Sequence, residues 1–184
     1  MKVDNIISFQ NAYEVLSDPQ ERAWYDSHRE AILQFGEVGT GNVVDVGGID
    51  LFPYFSSSCY HGFGQDSDGF YAVYRQVFEK LEEEDKDFSA VDADINYPTF
   101  GHIASEEGEW QQFYAFFMAY GTPRTYSWLD KYDIRQADNR KILRLMEKEN
   151  KKVRDVARKE RNELVRNLAK FIRKRDKRVL NFNR

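Results

Sequence analysis

The sequence predicts an all-α chain: a small helical body carrying one long basic helix. Three observations point there. Apolar residues recur at spacings of three and four from Phe70 to Leu81 and again from Ile142 to Ile172, the period of an amphipathic helix. From about residue 133 to residue 179 there is neither Gly nor Pro to interrupt such a helix. The formal net charge of −4 also hides a strong segregation. Residues 1–130 hold 7 Lys/Arg against 23 Asp/Glu, and residues 131–184 hold 20 against 8. A basic arm on an acidic body favours a polyanionic partner for the arm.

The elements follow in order. Ile6, Phe9, Gln10, Tyr13 and Leu16 fall at helical spacings and read as the end of a helix over 6–17. Ser17-Asp18-Pro19 stops it and starts a second over 20–34, with Asp18 as N-cap and Pro19 at the first helical position. Residues 36–48 hold five glycines and few core anchors, which predicts a flexible linker over 36–49 between a segment 1–35 and a body 50–132. In the body, residues 50–60 read as a short helix with Pro53 in its first turn, and His61-Gly62-Phe63-Gly64 as a turn. The stripe Phe70, Val73, Tyr74, Val77, Phe78 and Leu81 is the clearest amphipathic helix, running into Glu82-Glu83-Glu84-Asp85, an acidic stretch expected to be solvated. Tyr97-Pro98-Thr99-Phe100-Gly101 is a loop. Residues 110–120 form a helix with Phe113, Phe116, Phe117 and Tyr120 in the core, ended by Gly121-Thr122-Pro123. Trp128 and Tyr132 are expected to pack the base of the arm onto these helices. The arm, 133–184, reads as one helix of roughly 45 residues, about 65 Å long, which must project beyond so small a body. Val43-Val44 is too short to count as a strand.

The totals exclude several classes. No apolar run approaches the roughly 20 residues that span a bilayer, and residues 1–10 lack a signal pattern. One cysteine, Cys59, permits no intrachain disulfide and fits a reducing compartment. With three scattered histidines it makes no usual structural zinc site, and no metal or cofactor is implied. There is no phosphate-binding Gly motif and no nucleophile elbow. The carboxylates sit in runs and loops, whereas an acid/base pair needs two carboxyls in different environments around a pocket, so no enzyme is predicted.

The chemistry lies in the arm. Arg173-Lys174-Arg175-Asp176-Lys177-Arg178 is the densest basic run, preceded by Arg154, Arg158, Lys159, Arg161, Arg166 and Lys170. Arg154, Arg158 and Arg161 share one face; Arg166, Lys170, Arg173 and Lys177 share another winding round from it. Cations along a rigid rod match the spaced phosphates of a duplex, and RNA duplexes are gripped by shape and phosphate contacts without base readout. The alternatives are a merely solvated helix and a coiled coil through Ile142, Met146, Val153, Leu164 and Leu168. A membrane surface fits less well, because the apolar face has few bulky aromatics.

Two stretches resemble a known family. The run Asn11-Ala12-Tyr13-Glu14-Val15-Leu16-Ser17-Asp18-Pro19-Gln20-Glu21-Arg22-Ala23-Trp24-Tyr25-Asp26 is similar to the closing part of a J domain, the end of its third helix and its fourth. With Ser27-His28-Arg29-Glu30 it resembles the ribosome-biogenesis J proteins. Residues 128–140, Met146-Glu147-Lys148-Glu149-Asn150-Lys151-Lys152, Asn162-Glu163-Leu164-Val165-Arg166 and residues 171–178 resemble the zuotin-type homology region of that family, as do Tyr60, Gly62, Gly69-Phe70-Tyr71, Val73-Tyr74-Arg75, Val77-Phe78-Glu79 and Pro98-Thr99-Phe100-Gly101. The likeness covers nearly the whole chain and is weakest in the Gly-rich linker.

The resemblance implies a cytosolic co-chaperone, with a nucleolar or nuclear share, acting on late precursors of the large ribosomal subunit. Its partners would be rRNA, ribosomal proteins and export factors near the tunnel exit, docked through the charged helix. Arg154, Arg158, Arg161, Arg166, Lys170, Arg173, Lys174, Arg175, Lys177 and Arg178 match that helix and are the implied RNA-binding residues. The family's His-Pro-Asp loop, which stimulates a DnaK-type chaperone, has no counterpart, since no His-Pro pair occurs. Its zinc fingers have none either. Residues 1–35 therefore read as the remnant of a J domain, and partnership with a DnaK-type chaperone is expected only of a form with an intact J domain.

Overall fold

The computed structural model describes residues 48–64, 66–88 and 96–182, together with helical positions among residues 12–29. The linker reading over 36–47, the loop 89–95 and most of the segment 1–35 lie outside the described residues. The described fold is all-α, with no strand among these residues. It comprises α1 (Phe70–Lys86), α2 (Glu107–Met118), α3 (Arg140–Arg175) and α4 (Lys177–Phe182).

Each element has a local cause. Where a short helix is expected at 50–60, two 3₁₀ turns form, Phe52–Phe55 and Ser57–Cys59. The Ser56 hydroxyl accepts from the Ser58 amide and splits them. The loop after them closes on itself: the His61 amide donates to the Asp68 carbonyl at 2.7 Å and the Phe70 amide to the Gly62 carbonyl at 3.0 Å. Gly69, the last residue before α1, has no room for a side chain, because a Cβ there would stand 2.8 Å from the Gly64 carbonyl oxygen.

The core is aromatic. Helix α1 buries Phe70, Tyr71, Tyr74, Val77, Phe78 and Leu81; α2 buries Trp110, Phe113, Tyr114 and Phe117. Phe100, in the extended segment between them, sits 4.8 Å from Phe113 and 5.9 Å from both Phe70 and Tyr71, ring centre to ring centre. Phe78 meets Phe117 at 4.5 Å and Phe113 edge-on at 4.8 Å. Such pairs add about 0.5–1.5 kcal/mol each beyond the burial of area. Val165, Leu168, Ala169 and Ile172 of α3 form the third wall, and Val179 of α4 closes the end. Phe116 is only half-buried, at the edge of this core.

The long helix differs from its expected extent at both ends. It starts at Arg140, where the Asn139 side chain accepts from the amides of Lys141 and Ile142. Before it, Ile134–Gln136 form a 3₁₀ turn that Asp133 caps. It stops at Arg175 after 36 residues, about 54 Å, because Asp176 leaves the helical path and caps α4 by accepting from the Arg178 amide. Only its C-terminal half meets the core. Leu164 and Leu168 are used there, so the coiled-coil seam read along the whole helix is interrupted.

Trp128 and Tyr132 carry the base of the arm only in part: each is 46% exposed, and the Trp128 ring lies against Phe88 and Tyr126 at 5.7 and 5.1 Å. Tyr126 is buried instead and holds a left-handed backbone (φ 57°) to get there. Asn150, where the apolar pattern breaks, is buried and clamps the chain before α3. Its side-chain Oδ1 accepts from the Tyr132 amide at 3.0 Å, and its Nδ2 donates to the Tyr132 carbonyl at 2.7 Å. Replacing it, Asn150→Ala, leaves two part-buried backbone groups without these bonds and is expected to cost about 1–3 kcal/mol. A denaturation midpoint equal to the unaltered chain's would refute the clamp.

Candidate nucleic-acid interface

The ten cations expected to contact RNA fall into two groups once folded. Arg161 and Arg178 are buried. Arg161 donates to the Ile49 carbonyl at 2.9 Å and to Glu84 Oε2 at 3.2 Å. Glu84 also receives Arg124 at 2.8 Å and the Ile49 backbone amide. The start of the body is therefore tied to α1 and α3, rather than continuing the linker as far as residue 49. Arg178 is held by both oxygens of Asp176, donates to the carbonyls of Phe100 (2.9 Å) and His102 (3.1 Å), and lies over the rings of Tyr71 and Phe100. These two arginines hold the fold together and present no charge to a partner.

The acidic stretch at the end of α1 is not simply solvated. Asp85 is fully buried, accepting from Tyr97 at 3.0 Å and from Tyr120, with Arg124 3.8 Å away. It lies one turn beyond Leu81, on the apolar stripe itself. Burial, the largest effect, raises its carboxyl above the ordinary 3.8, against the lowering bonds from Tyr120 and Tyr97 and the nearby Arg124 and Arg161. Burial beside carboxylates raises Tyr71, Tyr97, Tyr114 and Tyr120 as well, so these phenols stay protonated donors. A raised native carboxyl contributes stability that is fully present below 3.8 and is lost as pH rises through its native value. Against Asp85→Asn, which cannot titrate, the unaltered chain should gain relative stability as pH falls from neutral towards 4. A difference that is flat or falls towards acid would contradict this, and denaturant melts at three pH values decide it.

The remaining cations stand differently. Arg154 is half-buried, 3.4 Å from Asp130. Arg158 pairs with Asp155 at 3.0 Å. Arg166 spends its Nε on the Tyr120 carbonyl at 2.8 Å. Arg175 folds over Phe171, 3.6 Å from the ring centre, and donates to the Phe171 carbonyl. Lys170, Arg173, Lys174 and Lys177 are exposed. Arg173 reaches the Met118 sulfur at 3.5 Å, and Lys177 covers the Phe63 ring at 4.1 Å. The nearest carboxylate in sequence, Asp176, is fully buried and neutralised by Arg178. The C-terminal end of α3 and the start of α4 thus expose four cations, and the acid within their own run, Asp176, is buried, which leaves a surface that can meet phosphates.

Of the residues that build this arrangement, Glu84, Asp85, Asn150 and Asp176 were not singled out as structural from the sequence. Two carried a signal: Asp85 continues the apolar stripe of α1, and Asp176 is the one acid inside a six-residue basic run.

Comparison with known proteins places this geometry. Residues 69–180, which include α1, α2, α3 and most of α4, match the family described as zuotin-like, zuotin homology domain. The chain belongs to the zuotin-like homology-domain family. The zuotin-like region is thus the aromatic body together with the long helix. The chain is similar to "DnaJ homolog subfamily C member 21" of Bos taurus, 52% identical over 172 residues, and of Homo sapiens, 51% over 171; each match takes 92% of this chain and 32% of the relative. "J protein JJJ1" of Saccharomyces cerevisiae is more distant, 31% identical over 208 residues, with 91% of this chain and 35% of the relative. The chain therefore spans about a third of the length of the curated relatives it matches. No solved structure matches. No helix among the described residues is long and apolar enough to cross a membrane.

Proposed function

We propose that this chain is the ribosome-docking part of a J-domain co-chaperone, acting in late cytoplasmic maturation of the large ribosomal subunit and binding rRNA through a basic helix. Membership of the zuotin-like family and the likeness to J proteins support the co-chaperone class. The observation that carries the rRNA reading is the sorting of charge. Asp176 is cancelled inside the fold by Arg178, and Glu84 by Arg124 and Arg161, while Lys170, Arg173 and Lys174 at the end of α3 and Lys177 at the start of α4 are exposed. Phosphate contacts of this kind position a protein on RNA without reading sequence.

In this reading the chain is not an enzyme. It meets pre-ribosomal large subunits, ribosomal proteins and export factors near the tunnel exit, in the cytoplasm and in part in the nucleolus or nucleus. A DnaK-type chaperone joins only through an intact J domain. The test is co-sedimentation of the purified chain with large-subunit precursors. Binding is expected at low salt and should weaken steeply as salt rises; failure to co-sediment at any salt would reject the reading.

A further inference from the structure

The N-terminal half of α3 lies apart from the aromatic core and carries a second surface of different character. One side of it is occupied: Asn150 is buried under Tyr132, Arg154 pairs with Asp130, and Ala157 is buried. Counting about 100° per residue from Asn150, Lys141, Lys148, Lys152 and Lys159 fall within about 20° of the opposite side, with Leu145 and Val156 close beside them. Those two aliphatic side chains are 56% and 52% exposed. They are eleven residues apart, three turns and about 16 Å on the same line. Towards the C-terminal end of this face Lys159 pairs with Glu163 at 3.8 Å and Asp155 is held by Arg158 at 3.0 Å; nearer the start of the helix the cations are unopposed. Arg144, Lys148 and Lys152 follow one another at i,i+4, where like charges repel, and none of the three forms an ion pair with a described residue.

We infer that this outward face of α3, Leu145 and Val156 within a row of lysines, docks an acidic amphipathic helix of another protein. Charge complementarity sets the sign: carboxylates would relieve the repulsion within the row. The apolar pair sets the class. A phosphate backbone would use the cations but bury nothing against Leu145 and Val156, whereas the apolar stripe of a helix covers both over three turns and brings its flanking acids onto the lysines. This face is separate from the cations at the C-terminal end of the same helix.

The experiment uses the full chain and a fluorescent 18-residue peptide with leucines along one helical face and glutamates beside them. The control is a peptide of the same composition, scrambled so that the stripe is lost. The striped peptide is expected to bind at least tenfold more tightly than the scrambled one at physiological salt. Leu145→Ser with Val156→Ser should lower that affinity at least tenfold, with helicity by circular dichroism unchanged. Lys148→Glu with Lys152→Glu should lower it too, and a peptide with lysines in place of the glutamates should restore binding. Equal affinity for the two peptides would overturn the inference, as would indifference to the serine pair. It would equally be overturned if the serine pair abolished binding to an RNA duplex, or dissolved a dimer of the chain in analytical ultracentrifugation, since the occupant would then be RNA or a second copy.

Discussion

Asp176→Ala should be among the most destabilising single substitutions in this chain. The carboxylate is fully buried and accepts from Tyr71 at 3.1 Å, Tyr114 at 2.8 Å, the Arg178 guanidinium at 2.8 Å and the Arg178 amide at 2.9 Å. It thereby joins α1, α2, α3 and α4 at one point. Removing it leaves a buried guanidinium without its counter-ion and two phenols without an acceptor. Breaking a buried pair from one side costs about 3–5 kcal/mol, and unsatisfied hydroxyls add to it. For a domain of this size that corresponds to a fall in Tm of about 10 °C or more. The break between α3 and α4 should loosen as well, since Asp176 is the cap of α4. A loss below about 1 kcal/mol in denaturant unfolding, within the range of ordinary surface substitutions, would show that this network does not hold the end of the fold.

The second large effect is on binding and leaves stability nearly alone. Reversing Lys170, Arg173, Lys174 and Lys177 to Glu removes four cations that face solvent and replaces them with four anions. All four side chains are exposed, and Arg173 and Lys177 touch the Met118 sulfur and the face of Phe63 rather than the buried core, so the body should keep its helicity and most of its Tm. Affinity for large-subunit precursors or an RNA duplex should fall by about two orders of magnitude or more at moderate salt, because the phosphate term dominates such affinities. Arg161→Ala and Arg178→Ala should behave in the opposite way. They remove buried groups held by Glu84 and Asp176, so they should lower Tm strongly and weaken binding only as far as the fold is lost. If the exposed quadruple variant bound as before while the two buried substitutions abolished binding in a folded protein, the division of the cations into outward and inward groups would be wrong.

That division is where the sequence stops being legible. Helices α1 and α2 and the path of α3 are readable because their apolar residues recur at the helical period, and Phe70, Tyr74, Phe78, Phe113 and Phe117 all lie where that period puts them. The helix boundaries are less readable because they are set by single polar side chains. Asn139 starts α3 and Asp176 ends it without any Gly or Pro to mark the place. A residue's charge says nothing by itself about which side of the fold it faces. Arg161 and Arg178 look like their exposed neighbours in a basic run, and they turn inward because Glu84 and Asp176, distant or hidden among cations, await them there. Tyr126 and Asn150 escape for a related reason: a left-handed backbone and a clamp on the Tyr132 peptide depend on the folded course of the chain, not on local pattern. The candidate site was thus legible as a basic end of a helix, and only folding decides which of its charges reach the surface.

In the proposed function the exposed cations at the C-terminal end of α3 and the start of α4 grip ribosomal RNA by its phosphates. The most direct measurement is the salt dependence of binding to purified large-subunit precursors, plotted as log affinity against log salt, for the unaltered chain and for the variant with Lys170, Arg173, Lys174 and Lys177 changed to Ala. A linear fall is expected for the unaltered chain, and each cation removed should flatten the slope by about 0.7–0.9, so the variant's slope should be shallower by about 3. Equal slopes for the two, or a binding constant that does not change with salt, would contradict the claim.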